Sequence, residues 1–434
     1  MTETAAARPG ATSETPELPE PEHPSAEEAV APTSWIRRIL IAAAVIYLGT
    51  QVAVSTLAVI GALIFFIFMH ELGHYLTARW AGMKVTEFFI GFGPTLFSFT
   101  RGETRYGIKG IPAGAYVKII GMSNLEEIDA SEEHRTYRQQ PYWRRMSVAV
   151  AGSTMHFLMA IVLIFSVFSI FGVPDPDAEG WTIGAISTFE RGPSPAEEAG
   201  LQVGDRIVSV DGRSFATFDD MATYLREQPG EEVSLVVARD GQRLTLTTEL
   251  ADRNPGGERV GFLGVGPEWA TTRQGPVSGA WEAVRTTGDT MVLSVQALGQ
   301  FFSPAGLGGY VDTLTGNTPA AAPGAIEAEN RLLSPVGAVN VAGQAADAGI
   351  INLISFLFLI NVFIGVFNLA PLLPFDGGHV VIATYERIRS RRGERYHADV
   401  SKLMPLTYAV VGVLILIGLS ALYLDISDPI DLPF

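Results

Sequence analysis

The apolar positions of this chain gather into long runs rather than the spaced stripes of a soluble fold. Four stretches approach or exceed the roughly 20 residues that a bilayer span requires. The first, residues 39–69, continues with no loop through FFIFMHELGHYLTARW to residue 80. A single helix over all of it is about 60 Å long, twice the hydrocarbon thickness of about 30 Å. The pattern therefore predicts a hairpin, with a short span over 35–52, a turn near Gly49-Thr50-Gln51 and a second span over 54–79. MSVAVAGSTMHFLMAIVLIFSVFSIFGV (146–173), IINLISFLFLINVFIGVFNLAPLLPF (350–375) and LTYAVVGVLILIGLSALYL (406–424) read as the other spans. The 350–375 run is broken near its end by Pro371 and Pro374, which cannot continue a regular helix.

Between 173 and 350 the pattern changes. From about residue 180 to 250, short strand-like runs alternate with Gly-bearing turns. VARDGQRLTLTTEL reads as a hairpin over Asp240-Gly241, and SPAEEAGLQVGDRIVSVDG as a short helix, a turn and a strand. Residues 251–349 hold a strand-like GFLGVGP, a Gly/Pro/Ala-rich loop over 304–325 and a stretch that approaches the membrane. The expected organisation is a tail (1–34), a first membrane part (35–178), an inserted domain (179–268), a linker with a membrane-proximal segment (269–349) and a second membrane part (350–434).

Composition sharpens this picture. The 434 residues are 47% hydrophobic, too apolar for an ordinary soluble protein of this length. The absence of cysteine excludes disulfides, thiolate metal sites and cysteine nucleophiles, so any metal must be held by His, Asp or Glu. A net charge of −16 argues against nucleic acid as a partner. Residues 1–34 are rich in Ala, Pro, Glu and Thr with Arg8 the only basic residue, which reads as a disordered acidic tail and not as a secretory signal. Basic residues orient the spans. The loop between the last two holds Arg387, Arg389, Arg391, Arg392, Arg395 and Lys402, whereas the C-terminal YLDISDPIDLPF holds none. That loop is expected in the cytoplasm, which puts the large insert outside and the segment after HELGH inside.

Ionisable groups at membrane depth are costly and functional by default. On a helix, residues four apart share a face, so His70 and His74 can point imidazole nitrogens at one ion. Glu71, beside His70, can face a water on that ion and accept its proton. HExxH alone also fits a helix end whose histidines bond headgroups or backbone. A third ligand is available in FNLAPLLPFDGGH, where Asp376 follows the proline break and Gly377-Gly378 allow a tight turn. From chemistry alone His379 competes with Asp376 for the metal.

HELGH followed far downstream by NLAPLLPFDGG resembles the site-2 protease family of intramembrane zinc metalloproteases, whose motifs are HExxH and NxxPxxPxDG. FFIGFGPTLFSFTRGETRYGIKGIPAGAYVKIIGM (88–122) resembles that family's GFGP loop and membrane-dipping β-hairpin, AGSTMHF (151–157) its AGPxxN-like segment, and residues 180–250, with AGLQVGDRIVSVDG, a PDZ module. The likeness runs from about residue 55 onwards and is strongest to actinobacterial members. It implies a polytopic α-helical membrane protein with a membrane-associated β-hairpin and an extracytoplasmic PDZ (α+β) insert. Zn2+ would be held by His70, His74 and Asp376, with Glu71 as catalytic base. Asn368, Gly91, Gly93 and Gly114 would position substrate, Asn368 holding the substrate segment or its developing oxyanion, and the 107–122 hairpin would pair with an unwound substrate strand.

The implied activity is cleavage of single-span membrane proteins, such as anti-sigma factors and remnant signal peptides, in regulated intramembrane proteolysis. An upstream site-1 protease would act on the same substrate, and the PDZ module would act as a size filter. The implied location is the cell membrane, multi-pass, with the active site towards the cytoplasm. Three positions depart from the family pattern: Phe375 for the usual Leu, Ser153 for Pro and His156 for Asn. His156 is then either a packed, interhelical hydrogen-bonding residue or a neighbour of the metal. An ion or solute transporter would also place His, Glu and Asp in a membrane, but it does not account for the HExxH spacing. An inactive adaptor binding through its PDZ module does not explain why all ligands and the base are present.

Overall fold

The computed structural model describes residues 54–122, 126–174, 181–187, 192–253, 259–268, 271–317, 332–390 and 396–430. The expected tail, the span over 35–52 and the turn near residue 50 lie outside the described residues, as do Arg391, Arg392 and Arg395. Among the described residues, four helices are long and apolar enough to cross a membrane: Thr56–Trp80, Ala151–Phe171, Ile350–Asn368 and Val400–Ser427.

Helix α1 (Val54–Trp80) carries HELGH in its last third. It stops where Gly82 adopts φ +79° and the Met83 N–H reaches back to the Ala78 carbonyl at 2.9 Å, a left-handed glycine cap. Strands β1 (Val85–Arg101) and β2 (Thr104–Ile119) follow as a hairpin. Both strands bend, so that they form four sheet segments. Residues 85–90 pair with 115–119 on one side and with 105–108 on the other, while 97–101 pair with 104–108. The 115–119 segment is an outside edge. The GFGP segment, expected as a loop, lies within β1, because Phe92 still pairs with Ile111 across the bend. Gly91 (φ +87°) and Gly93 (φ +81°) make that bend. A Cβ on Gly91 would lie 2.6 Å from the Ile111 carbonyl oxygen, a backbone contact that cannot yield.

The span expected over 146–173 is two helices. Helix α2 (Tyr142–Ala149) ends at Val150, and α3 (Ala151–Ser166) starts there and runs into a wider turn at Val167–Phe171. A buried arginine, Arg145, sits in α2, so this helix belongs to the polar end of the bundle and only α3 is apolar enough to span.

A small β-rich unit follows. β3 (Val173–Pro174) precedes it, pairing with β11 (Thr271–Thr272) at its far end. Between them lie β4 (Thr182–Ile186), α4 (Pro195–Glu198), β5 (Arg206–Val210), α5 (Phe218–Arg226), β6 (Glu232–Arg239), β7 (Gln242–Glu249), β8 (Ala251–Arg253), β9 (Val260–Phe262) and β10 (Val265–Glu268). The expected β6–β7 hairpin turns over Asp240 (φ 49°) and Gly241 (φ +79°), the paired positive φ of a tight two-residue turn. The expected short helix is α4, closed by a Ser194/Glu197 capping box. Ile183, Val210, Met221, Val233, Leu235 and Val237 are fully buried in its core.

Helix α6 (Pro276–Phe301) returns to the bundle and packs on α3. Gly279, Ala283, Thr287 and Ser294 form its buried stripe, small residues that let helix backbones approach. A Cβ on Gly279 would fall 2.0 Å from Ser169 Oγ. The loop expected over 304–325 is helical in its first half, as α7 (Pro304–Thr315). Ser303 caps it by accepting from the Gly306 N–H, and Pro304 stands at its first turn, where a missing N–H costs nothing. Helices α8 (Pro335–Asp347), α9 (Ile350–Asn368), α10 (Asp376–Arg389) and α11 (Met404–Ser427) complete the chain. Among its described residues, the stretch expected as linker and membrane-proximal segment (269–349) thus holds the helices α6, α7 and α8. The bundle core joins α3 to α9 through Ala160, Ile164, Phe358, Val362 and Val366.

Candidate metal centre

The site is assembled from α1, the start of α10 and the α2–α3 junction. Asp376 occupies the first turn of α10, where the helix dipole favours a carboxylate. Residues 369–375 form a non-helical bend between α9 and α10, with the Leu373–Pro374 bond cis. Gly377 and Gly378 are helical here and do not make the turn expected of them. Their small size serves close approach instead: a Cβ on Gly377 would lie 2.2 Å from the Leu369 carbonyl oxygen, and one on Gly378 2.7 Å from the Leu373 nitrogen.

This brings together His70 Nε2, His74 Nε2 and Asp376 Oδ2. The two nitrogens are 3.2 Å apart, and the carboxylate oxygen is 3.5 Å from His70 and 3.2 Å from His74. Zinc bonded to N and O donors at about 2.0–2.1 Å in tetrahedral geometry separates its ligands by about 3.3 Å. The triangle is one face of such a tetrahedron, with the fourth corner left for water or substrate. Asp376 Oδ2 is buried and, among the described residues, has no hydrogen-bond partner. An oxygen in that condition is matched by a cation. His74 is fixed in orientation, since its Nδ1–H donates to the Val148 carbonyl at 2.8 Å and leaves the Nε2 lone pair facing the triangle.

Gly152 is a site residue that the motif reading passed over. It opens α3 directly over the imidazoles, where a Cβ would lie 2.3 Å from His70 Cε1 and 2.5 Å from His74 Nε2. Val148 and Asn361 were also missed. A glycine in AGSTMHF signals close packing, but nothing local says against what.

His156 takes both of the positions open to it. Its Nδ1–H donates to Asn361 Oδ1 at 2.9 Å, tying α3 to α9, and its ring centroid is 5.2 Å from that of His70. Glu71 sits beside His70 on the same helix. His379 stands apart from the triangle, its ring edge-on to Tyr137 at 6.1 Å. Burial lowers its imidazole to about 4, so it is neutral at pH 7. Asn368 is the half-buried last residue of α9, on the far limb of the bend from Asp376. Gly91, Gly93 and Gly114 shape the β1–β2 sheet; at Gly114 a Cβ would lie 2.5 Å from the Phe92 ring. Beside the bend, α6, the end of α9 and α11 enclose an apolar groove of about 1140 Å³, lined by Val295, Leu298, Pro371, Phe375 and Val413 among others.

Residues 58–412 match the family described as Peptidase family M50. The zinc metalloprotease Rip1 of Mycobacterium tuberculosis (strain H37Rv) is 34% identical over 411 residues, covering 86% of this chain and 96% of the relative. Rip1 of Mycolicibacterium smegmatis is 33% identical over 404 residues, covering 86% and 97%. A putative zinc metalloprotease of Brucella suis is 32% identical over 345 residues, covering 74% and 83%. The PDZ domain of an SdrC-like protein from Listeria monocytogenes aligns with 21% of this chain and 88% of its own length, at 18% identity and a TM-score of 0.18.

Proposed function

The chain belongs to peptidase family M50 and is a zinc metalloprotease; from that premise we propose that it hydrolyses peptide bonds in or beside the membrane-spanning segment of single-span proteins. The observation that carries this reading is the His70–His74–Asp376 triangle with separations of 3.2–3.5 Å, its two histidines on the apolar helix α1. In the proposed site these three residues hold the metal. Bound there, zinc supplies a Lewis acid and lowers the pKa of a coordinated water to about 7.

The protein residues do the rest. Glu71 is the base that takes the proton of the attacking water and returns it to the leaving amine. His74, locked by Val148, keeps its Nε2 lone pair turned towards the triangle. Asn368 is the proposed polar contact for the substrate segment. A helical peptide bond is shielded and internally hydrogen-bonded, so the substrate must be extended before attack. The outside segment 115–119 offers an extended chain backbone partners by strand addition. The apolar groove beside the bend fits the rest of a membrane segment. On this reading the β-rich unit is a PDZ module lying outside the cell, and the end of α1 lies towards the cytoplasm.

The test is Glu71→Gln. It is expected to abolish cleavage of a single-span reporter in proteoliposomes while zinc content and membrane insertion stay normal. Cleavage at the normal rate would refute the assigned base.

A further inference from the structure

A cleft outside the metal centre lies where the end of α1 meets the turn of the β1–β2 hairpin. Its volume is about 870 Å³, and it is lined by Tyr75, Arg79 and Trp80 of α1, Phe99 and Arg101 of β1 and Tyr106 of β2. No aspartate or glutamate is among its lining residues. The carboxylate of the turn, Glu103, is already engaged, since its two oxygens accept from Arg135 at 2.6 Å each. Among the described residues neither Arg79 nor Arg101 is paired with a carboxylate. Two guanidiniums therefore share one open cleft with nothing of opposite charge in it.

The cleft wall is built, not loose. Arg79 Nη1 donates to the Tyr75 hydroxyl at 3.1 Å, with the guanidinium carbon 5.8 Å from the centre of that ring. The Tyr75 and Tyr106 hydroxyls bond each other, and the Tyr106 ring stacks on Phe99 at 5.4 Å. Helix and hairpin are thus joined beside the cleft, while both arginines stay exposed. A guanidinium carries five N–H donors in a planar fork that matches a phosphate, and Tyr75 takes one of those on Arg79. The rim is apolar and open: Trp80 is 78% exposed, Phe97 59% and Phe99 50%. Large apolar side chains exposed together on neighbouring elements mark a contact surface. Trp80 and Arg79 close an apolar helix long enough to span a bilayer, the place where an indole and a snorkelling arginine meet the headgroup layer.

We propose that this cleft binds the phosphate of an anionic membrane lipid, held by Arg79 and Arg101, with the lipid chains along the exposed aromatic rim. A zwitterionic lipid also has a phosphate but brings an ammonium that two guanidiniums repel, so a lipid of net negative charge is preferred. The proposal rests on α1 lying in a membrane and is independent of the proteolytic reading.

The test reconstitutes the full-length protein in phosphatidylcholine vesicles holding a titrated fraction of phosphatidylglycerol with brominated chains. Quenching of Trp80 is read as the difference between the wild type and Trp80→Phe. Phosphatidylglycerol is expected to be selected over phosphatidylcholine by about 30-fold, which corresponds to about 1 kcal/mol for each arginine. Arg79→Gln combined with Arg101→Gln is expected to bring that ratio near one. Arg101→Gln alone, at an exposed side chain, is expected to bring it to about fivefold and serves if the double variant folds poorly. Arg206→Gln combined with Arg243→Gln removes the same charge from exposed positions of the β-rich unit and is expected to leave the ratio unchanged. A wild-type ratio near one overturns the proposal, as does a preference that survives the cleft variants or is lost equally in the control. Soluble glycerol phosphate is expected not to displace the lipid; full displacement would make the ligand a free phosphate compound and overturn the lipid assignment. Cleavage of a reporter enters none of these readouts, so failure here leaves the protease reading standing.

Discussion

Gly152→Ala is a single-methyl change that tests the geometry of the metal centre. The added Cβ would lie 2.3 Å from His70 Cε1 and 2.5 Å from His74 Nε2. Carbon–carbon contacts relax to about 3.5 Å, so the His70 ring must retreat by about 1.2 Å or the helices must part. Metal–ligand distances tolerate only about 0.2 Å. Neither imidazole is a free flexible end, since His74 is tied to Val148 and Gly73 of the same helix already lies against the α3 backbone. Loss of outer contacts to metal ligands typically costs about 10- to 100-fold in affinity; direct displacement of two ligands should exceed the upper figure. Overpacking adds about 1–3 kcal/mol of destabilisation. The assay is zinc retention by purified protein titrated with a chelator, run beside reporter cleavage. Gly61→Ala, on α1 with the two histidines, is the control, because its Cβ would meet nothing within 4 Å. The expected result is zinc loss and inactivity in Gly152→Ala with normal behaviour in Gly61→Ala. A Gly152→Ala protein with wild-type zinc affinity and turnover would refute the close packing of α3 on the two histidines.

Other outcomes follow from particular contacts. Chelation should stop reporter cleavage and added zinc should restore it; activity that persists in metal-free protein contradicts the assignment. Replacing Arg145 by Ala strands Glu386 in a buried position, and breaking such pairs costs about 3–5 kcal/mol; thermal unfolding in detergent should show a clear fall in Tm, and an unchanged Tm would deny that the pair joins α2 to α10. In the β-rich unit, Arg239 holds the Asp205 carboxyl below the usual range through bonds of 2.7 Å to both oxygens. The folded pKa lies below the unfolded one, so this stabilisation is complete above about pH 4 and is lost as the pH falls further. Denaturation followed by the emission of buried Trp181 should show that acid loss in the wild type and a smaller one in Arg239→Ala. Equal acid sensitivity would contradict the role of the pair.

Much of the site was legible because it depends on local periodicity. HELGH needs only the helical repeat to put two histidines on one face, and a carboxylate after a proline-broken span marks backbone that lines a cavity. The apolar runs at 350–368 and 404–427 needed only hydropathy. What could not be read depends on distant packing. Gly152 matters because of what lies above it, and Gly377-Gly378 because of carbonyls in the preceding bend. Arg145 and Glu386 meet across 241 positions of sequence. Helix α6 was missed as a bundle element because its packing stripe is Gly279, Ala283, Thr287 and Ser294, small residues that hydropathy does not register. The break at Val150 was hidden within a continuous apolar run. The choice between Asp376 and His379, left open by chemistry, turns on the direction of the first turn of α10.

The most direct measurement is the zinc K-edge X-ray absorption spectrum of the purified, full-length protein. Nitrogen and oxygen scatterers are expected at about 2.0–2.1 Å, with outer-shell scattering of two imidazoles, and the Asp376→Ala protein should lose zinc or its oxygen scatterer. Absence of zinc from the wild type, a site with one or three imidazoles, or a spectrum unchanged in Asp376→Ala would contradict the account.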